Sequence, residues 1–591
     1  MSRLPSLQNV LNATQKTILR FPLETITAIC GTIFAILNIR QDYSSYENFY
    51  LKGVMSCSLC LVWFVSASLF FAVKQKNRII RFIVSLVFCL PLIALVFNFG
   101  EKISDAESQQ FFVLNLALHL LVSFAGFIPR AYNQEEFWEF NKQLFLRILT
   151  SGLYSIVLYT GLALAILAVD QLFKVEFESK IYGYLFFLIA GIFNTIFFLS
   201  GVPDTNNKEF PLHLNYPKGL KNFTQFVLLP LITIYLAILI CYETKILITL
   251  SLPVGWVSYL VLAFAIVGIL SFLLVHPIAD ESGNLWMRTF NRWFYFLLIP
   301  LLVLLFWAIL YRINLYGFTH ERYYVLLLSI WLAVVVAYFL ISKHPKIKFI
   351  PVSMCLAGLF SIIGPQSADS VSKYSQLSRF EDYLQKAEGK KLTFEQEKEL
   401  SSVVYFLDRN YTFEIMVPYA PKKLEPLYKK DKDPGSTKIM ESLGFQYRSE
   451  YEQKTKENDS FSYYYYENDN NVVTNIHDYD FTFILNQHGV FECKECITLN
   501  NTKYSIKSKT THYGQELQIN NDIIPLKIND FINTNSTFRN SYNSDQKAQQ
   551  KIETSKYIIL LDYLSANGKI ENNKKSPKNY QIKVMAGIKN Q

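Results

Sequence analysis

Arg312-Ile-Asn-Leu-Tyr-Gly-Phe-Thr-His-Glu-Arg322 opens the stretch that decides the fold, and that stretch runs on to Leu384. The polar turn leads into residues 323–341, where Ser329 alone is conventionally polar. That length suits a helix crossing a hydrocarbon layer, which takes about 20 residues. A basic hairpin follows (Lys343, His344, Lys346, Lys348), then a second apolar run over 347–363. Beyond Gly364-Pro365 the apolar runs stop. Val371, Tyr374, Leu377, Phe380 and Leu384 recur at helical spacing on a polar background, which predicts an amphipathic helix outside a bilayer. Here the chain passes from membrane to water.

Outward from this junction the two halves differ in kind. Residues 1–364 hold nearly all the long apolar runs and carry 26 Lys+Arg against 18 Asp+Glu; residues 365–591 carry 31 against 30. The positive excess therefore lies among the apolar runs, which argues against a basic nucleic-acid-binding tail. Eleven spans are expected, near 21–39, 52–73, 79–98, 111–128, 146–168, 181–200, 222–241, 254–275, 293–311, 323–341 and 347–363. Residues 135–146 read as an amphipathic segment lying on the surface before the fifth span. Lys and Arg in alternate loops number 18 on one side, from Arg3 to Lys348, and 8 on the other, from Arg40 to Arg322. Basic loops are retained in the cytoplasm, so the N-terminus is expected inside and residues 365–591 outside. The first span reads as an uncleaved signal-anchor.

The expected fold class is an α-helical polytopic bundle followed by a soluble α+β domain with a mainly antiparallel sheet. Three segments are expected: 1–364 spanning the membrane, 365–410 a helical linker, and 411–591 the extracytoplasmic domain. Thr393 ahead of a helix carrying Leu400, Val403, Val404 and Leu407 reads as a capped start, and Gly444 as a helix end. Strands are expected near 461–466, 479–485, 490–493, 504–508, 516–519, 523–527, 557–564 and 580–586, the last two flanking a turn at Asn567-Gly568.

Tyr316-Gly317-x-Thr319-x-x-Arg322-Tyr323, a Trp331-containing helix, the Gly364-Pro365 exit and Ser375-Gln376-x-x-Arg379 occur in an order that resembles the bacterial family known as domain-of-unknown-function family 4153. The resemblance implies an envelope protein of bacterial type, from a Bacteroidota-like branch, and brings no activity, cofactor or catalytic residue with it.

Three constellations are candidate sites. Cys493-Lys-Glu-Cys496 has the spacing of a redox dithiol or half a metal site, but it lies among strands, and a small disulfide bracing a turn or two free thiols is the plainer reading. His119 stands mid-span, where an ionisable group often lines a cavity; the plainer reading is a neutral imidazole bonded to a neighbouring helix. Arg312, His320, Glu321 and Arg322 form an outer-face polar cluster that would bind an anion or dock the segment after residue 364; interfacial anchoring and local ion pairs are the plainer reading. Phosphate loops, nucleophile elbows and His-Glu-x-x-His motifs are absent. No catalytic, metal or cofactor residue is assigned. The function expected is a non-enzymatic envelope scaffold or sensor of the inner membrane, its partners the lipid bilayer and an envelope protein held through 365–591, with no nucleic acid. The alternative is a transporter or channel with a periplasmic cap.

Overall fold

The computed structural model describes residues 7–41, 47–74, 78–101, 103–129, 131–175, 177–203, 216–249, 256–278, 285–387, 391–449, 452, 460–465, 476–486, 491–499, 501–511, 514–535, 538, 547–571 and 574–589. Among these described residues, ten helices are long and apolar enough to cross a membrane. In chain order the helical elements are α1 (Leu7–Arg20), α2 (Pro22–Arg40), α3 (Glu47–Lys74), α4 (Arg78–Phe97), α5 (Asp105–Ala125) and α6 (Gln134–Phe173). Next come α7 (Lys180–Phe187) and α8 (Asn194–Ser200), one span joined by a π-helical turn, then α9 (Lys218–Phe223) and α10 (Leu229–Thr249), joined likewise. The bundle closes with α11 (Trp256–Val275), α12 (Leu285–Tyr316), α13 (His320–Ile341) and α14 (Phe349–Ile362).

The eleventh expected span, α14, has 14 residues and falls short of the length of the other ten. It still reaches from one end of its neighbour α5 toward the other. Lys348 Nζ, just before it, bonds the Phe127 carbonyl at 2.7 Å, while Ile362 O at its far end accepts from Gln110 at 3.4 Å. Residues 135–146 are not a separate surface segment. They form the first turns of the 40-residue helix α6, with Phe137, Trp138 and Phe140 buried, because that face packs inside the bundle core.

Four further helices follow the last span: α15 (Ala368–Lys386), α16 (Phe394–Asn410), α17 (Pro421–Lys430) and α18 (Ser436–Leu443). They share a core of Phe380, Leu400, Val403, Val404, Leu407, Phe413, Met416, Leu424, Ile439, Met440 and Leu443. Each such side chain contributes roughly 1.5–3 kcal/mol on burial. Thr393 caps α16 through a reciprocal pair with Gln396. Gly444, at φ 87°, ends α18 in the left-handed conformation expected there. The chain divides into two compact units, Met1–Ser449 and Glu450–Gln591, so α15–α18 group with the membrane helices.

Unit 450–591 holds two antiparallel sheets. The first runs β1 (Ser460–Tyr464), β8 (Tyr557–Glu571), β9 (Lys574–Ile588), β2 (Phe481–Asn486), with β7 (Ala548–Glu553) also on β8. The second runs β3 (Glu492–Leu499), β4 (Thr502–Thr511), β5 (Gly514–Ile519), β6 (Asp522–Pro525). Ile559, Leu561 and Tyr563 of β8 face Ala586, Val584 and Ile582 of β9, all buried, and join Ile506, Leu517 and Ile519 of the second sheet in one core. The period of two is that of strands with one face inward. Helix α19 (Ile528–Thr534) adds Phe531, stacked on Tyr563 at 4.9 Å. Asn567-Gly568, expected to turn the last hairpin, lies inside β8 at a register shift opposite Asn579 and Pro577. The pair instead faces a bulge in β9, whose extra residue is Lys578.

Candidate functional site

Helix α12 must end at the membrane boundary, where its last carbonyls have no partners within the helix. Gly317 ends it at φ 71°, its N–H bonded to Ile313 O at 2.8 Å. A Cβ there would lie 2.7 Å from Arg379 Cδ and 2.9 Å from Ser375 Oγ, so the turn needs glycine for both its φ and its room. Arg322 reaches back from the first turn of α13 to the Tyr316 and Gly317 carbonyls, each at 3.0 Å. Helix α15 supplies the rest. Gln376 Nε2 donates to Tyr316 O at 3.1 Å and Phe318 O at 2.7 Å, and Ser375 Oγ accepts from Phe318 N–H at 2.9 Å. Gln376 is 2% exposed, an amide buried because it serves another element's backbone.

Beside this clasp His320, 4% exposed, lies 3.5 Å from Asp369 Oδ1 and 3.4 Å from the Tyr411 hydroxyl. Tyr411 donates to the Asp369 carbonyl at 3.1 Å, and Phe406 packs on the imidazole at 5.3 Å. Burial works to raise the Asp369 carboxyl, yet the hydrogen bonds from His320 and Tyr411, with the charges of His320 and Lys373, hold it below the usual carboxylate value. Burial first, then Asp369, push the Tyr411 phenol upward, so it stays a neutral donor. Tyr323 adds a bond to Gln366 O at 2.6 Å. Arg409 Nε pairs with Asp105 Oδ2 at 2.6 Å, tying α16 to the start of α5.

Of the four outer-face residues read from the sequence, His320 and Arg322 enter these contacts. Glu321 is exposed and accepts from Tyr259 at 3.3 Å, and Arg312, half-buried, stands one turn before Tyr316. His119 faces away from the bundle, its Nδ1 2.8 Å from the carbonyl of Asn115 in its own helix. Cys493 and Cys496 lie in β3 with Cα atoms 5.8 Å apart and their sulfurs at bonding distance. Asp480 accepts from Ile588 N–H at 2.7 Å and fastens a strand end.

Other groups escaped the sequence reading. Glu24, in α2, is 0% exposed and accepts from the Ser68 hydroxyl of α3; Arg81 of α4 lies 3.9 Å from the same oxygen. Among the described residues its second oxygen has no hydrogen-bond partner. Glu139 is 2% exposed and pairs with Lys142 at 2.7 Å. Buried Cys60 and Cys89 hydrogen-bond one another, and Cys57, three residues before Cys60, shares its helix face. The Cys57-x-x-Cys60 spacing was the available signal. Among the described residues no group of three or more His, Cys, Asp or Glu has the arrangement of metal ligands.

The family model described as Domain of unknown function (DUF4153) matches residues 31–390. The chain belongs to that family. The matched segment takes in both halves of the clasp, Tyr316–Tyr323 and Ser375–Arg379, and ends before α16. The chain is also similar to a Pasteurella multocida (strain Pm70) protein titled Uncharacterized protein PM1469, at 26% identity over 304 residues, 50% of this chain and 49% of that protein. It thus aligns with about half the length of that curated relative. No solved structure matches. A multi-pass membrane protein of this family is what the apolar helices and the match together support.

Proposed function

We propose that this family member is a non-enzymatic scaffold or sensor of the bacterial inner membrane, its N-terminus cytoplasmic and residues 365–591 extracytoplasmic. The observation that carries the reading is the clasp. Gln376, Ser375, Asp369 and Tyr411 fix the helices after residue 364 onto the end of the bundle, which suits a protein that transmits a partner's binding rather than one carrying a domain on a loose stalk. The bias of 18 basic loop residues against 8 supports the orientation. So does the meeting of Arg20, Arg81, Arg147 and Lys348 with loop and helix-end carbonyls away from the clasp. An envelope protein bound through 365–591 is the partner that fits.

A cysteine placed at Tyr374, 78% exposed on α15, tests the orientation. A membrane-impermeant maleimide should label it in intact spheroplasts. Labelling only after the membrane is opened puts the segment in the cytoplasm and overturns the proposal. Turnover of an envelope substrate by the purified chain contradicts the non-enzymatic part.

One observation favours transport as the second reading: Glu24 is a buried carboxyl inside the bundle, the kind of group that proton paths use. Proton uptake into vesicles that is abolished by Glu24→Gln would establish it over the scaffold.

A further inference from the structure

Strand β3 carries Cys493-Lys-Glu-Cys496 where its pairing with β4 slips. Cys493 faces Ile506 and Ile497 faces Tyr504, so Lys494, Glu495 and Cys496 together stand against Ser505. Glu495 takes φ 46° and donates its N–H to Ser505 Oγ at 2.9 Å. The ring closed by the two sulfurs contains only Lys494 and Glu495 and connects no two elements of the fold. Closing so short a loop removes little entropy from the unfolded chain, because that gain grows with loop length. A brace placed here stabilises little.

The position suits chemistry better. Strand β3 is at the edge of its sheet, Cys496 is exposed and Cys493 half-buried. An open hollow of ≈ 310 Å³ is lined by Cys493, Lys494, Glu495, Ser505 and Lys507 among others. Cationic neighbours favour a thiolate over a thiol. Glu492 moderates both lysines, lying 3.3 Å from Lys507 and 4.0 Å from Lys494.

We propose that Cys493 and Cys496 form a thiol–disulfide exchange site whose substrate is a dithiol on another protein. One thiolate of that dithiol attacks the exposed Cys496 sulfur. The Cys493–Cys496 bond breaks, and Cys493 leaves as a thiolate into the hollow lined by Lys494 and Lys507. The second thiolate of the dithiol then attacks its own sulfur in the mixed disulfide, closing a disulfide on the substrate and releasing Cys496 as a thiolate. Two electrons pass to the pair, and the two protons given up by the dithiol end on Cys493 and Cys496. The exchange as drawn is stoichiometric, one dithiol oxidised per chain with no reoxidation of the pair, so it adds a redox-sensitive contact to the scaffold reading without turnover, and it rests on residues 450–591 alone.

The test uses the full chain in detergent, with the glutathione couple and dithiothreitol as probes. Protein equilibrated in buffers of rising reduced-to-oxidised glutathione ratio is quenched in acid, denatured and alkylated with a mass-tagged maleimide. A Cys493→Ser/Cys496→Ser double variant gives the background of the other six cysteines. Two additional thiols should appear part-way through the series, disappear when the ratio is reversed, and appear within the mixing time on adding dithiothreitol. A pair that stays oxidised throughout and yields only in denaturant is a brace, which overturns the proposal. Two thiols in every buffer overturn it too. Cys493→Ser should also leave Cys496 carrying glutathione in higher yield than Cys496→Ser leaves on Cys493; equal or reversed yields contradict the order of attack, and the wild-type titration decides the rest if either variant fails to fold.

Discussion

At the end of the bundle where Arg20, Arg147 and Lys348 stand, cations from the membrane helices bond carbonyls that finish neighbouring segments. Arg20 serves Val202 and Pro203 at 2.9 and 3.1 Å, Arg147 serves Phe197 at 3.0 Å and Lys348 serves Phe127 at 2.7 Å. At the other end, the carbonyls of Tyr316 and Phe318 are bonded by Gln376, which belongs to α15 and not to the bundle. Backbone groups at a membrane boundary need partners in either case. The first end finds them within the bundle. The second finds some within it, Arg322 bonding the Tyr316 and Gly317 carbonyls, and borrows others from the helices that follow, so the bundle's end and those helices hold each other in place. Direct bonds thus join the two at the second end.

The sharpest way to break that difference is at Gly317. Gly317→Val places a branched side chain at positive φ, costing about 1–3 kcal/mol in backbone strain alone, and drives it into Arg379. Protease cleavage between α14 and α16 should rise strongly while the apolar helices keep their far-UV dichroism. Gln376→Leu comes next. Removing the two bonds to Tyr316 and Phe318 should cost about 1–3 kcal/mol, read as lost hydrogen-exchange protection over 368–386. Arg20→Ala serves as its contrast, lowering the bundle's melting temperature without loosening that helix.

The difference is also sharpened by pH. Because Asp369 is held below its ordinary value, its contribution to docking is fully present above about pH 4, the unfolded value, and is lost as pH falls through the lower folded value. Protection of α15 should therefore hold from neutrality to about pH 5 and fail in stronger acid, with Asp369→Asn removing most of that acid dependence. The smallest effect belongs to Arg409→Ala. Its partner Asp105 is about half exposed, and a pair so wetted is screened by salt, so docking should change little and less still at high ionic strength.

The spans were legible because a bilayer imposes length and apolarity, and ten of them are there as helices of sufficient length. Leu400, Val403, Val404 and Leu407 were legible for a related reason: their face packs on other apolar side chains. The docking face of α15 was not. Its spacing pointed to Val371, Tyr374, Leu377, Phe380 and Leu384, yet Tyr374 is exposed and the buried stripe is Ser372, Gln376, Phe380 and Tyr383. A helix that docks on carbonyls must present polar groups inward, and an apolar period cannot reveal that. Asn567-Gly568 misled in the opposite direction: residues that favour a tight turn stand here inside a long strand, facing a bulge of its partner. His320 and Arg322 were visible as charged residues at a boundary, but their partners Asp369, Tyr411 and the Tyr316 carbonyl come from elsewhere in the chain or its backbone.

The most direct test of the coupled end is a cross-link between cysteines replacing Asp105 and Arg409, whose native side chains meet at 2.6 Å, in a chain whose other cysteines are serine. With a short bismaleimide in native membranes, joining should be rapid and near-complete, and Gly317→Val should abolish it. Failure to join in the unaltered chain, with a control pair in α2 and α3 joining normally, would show that α16 does not rest on the bundle and would contradict the account.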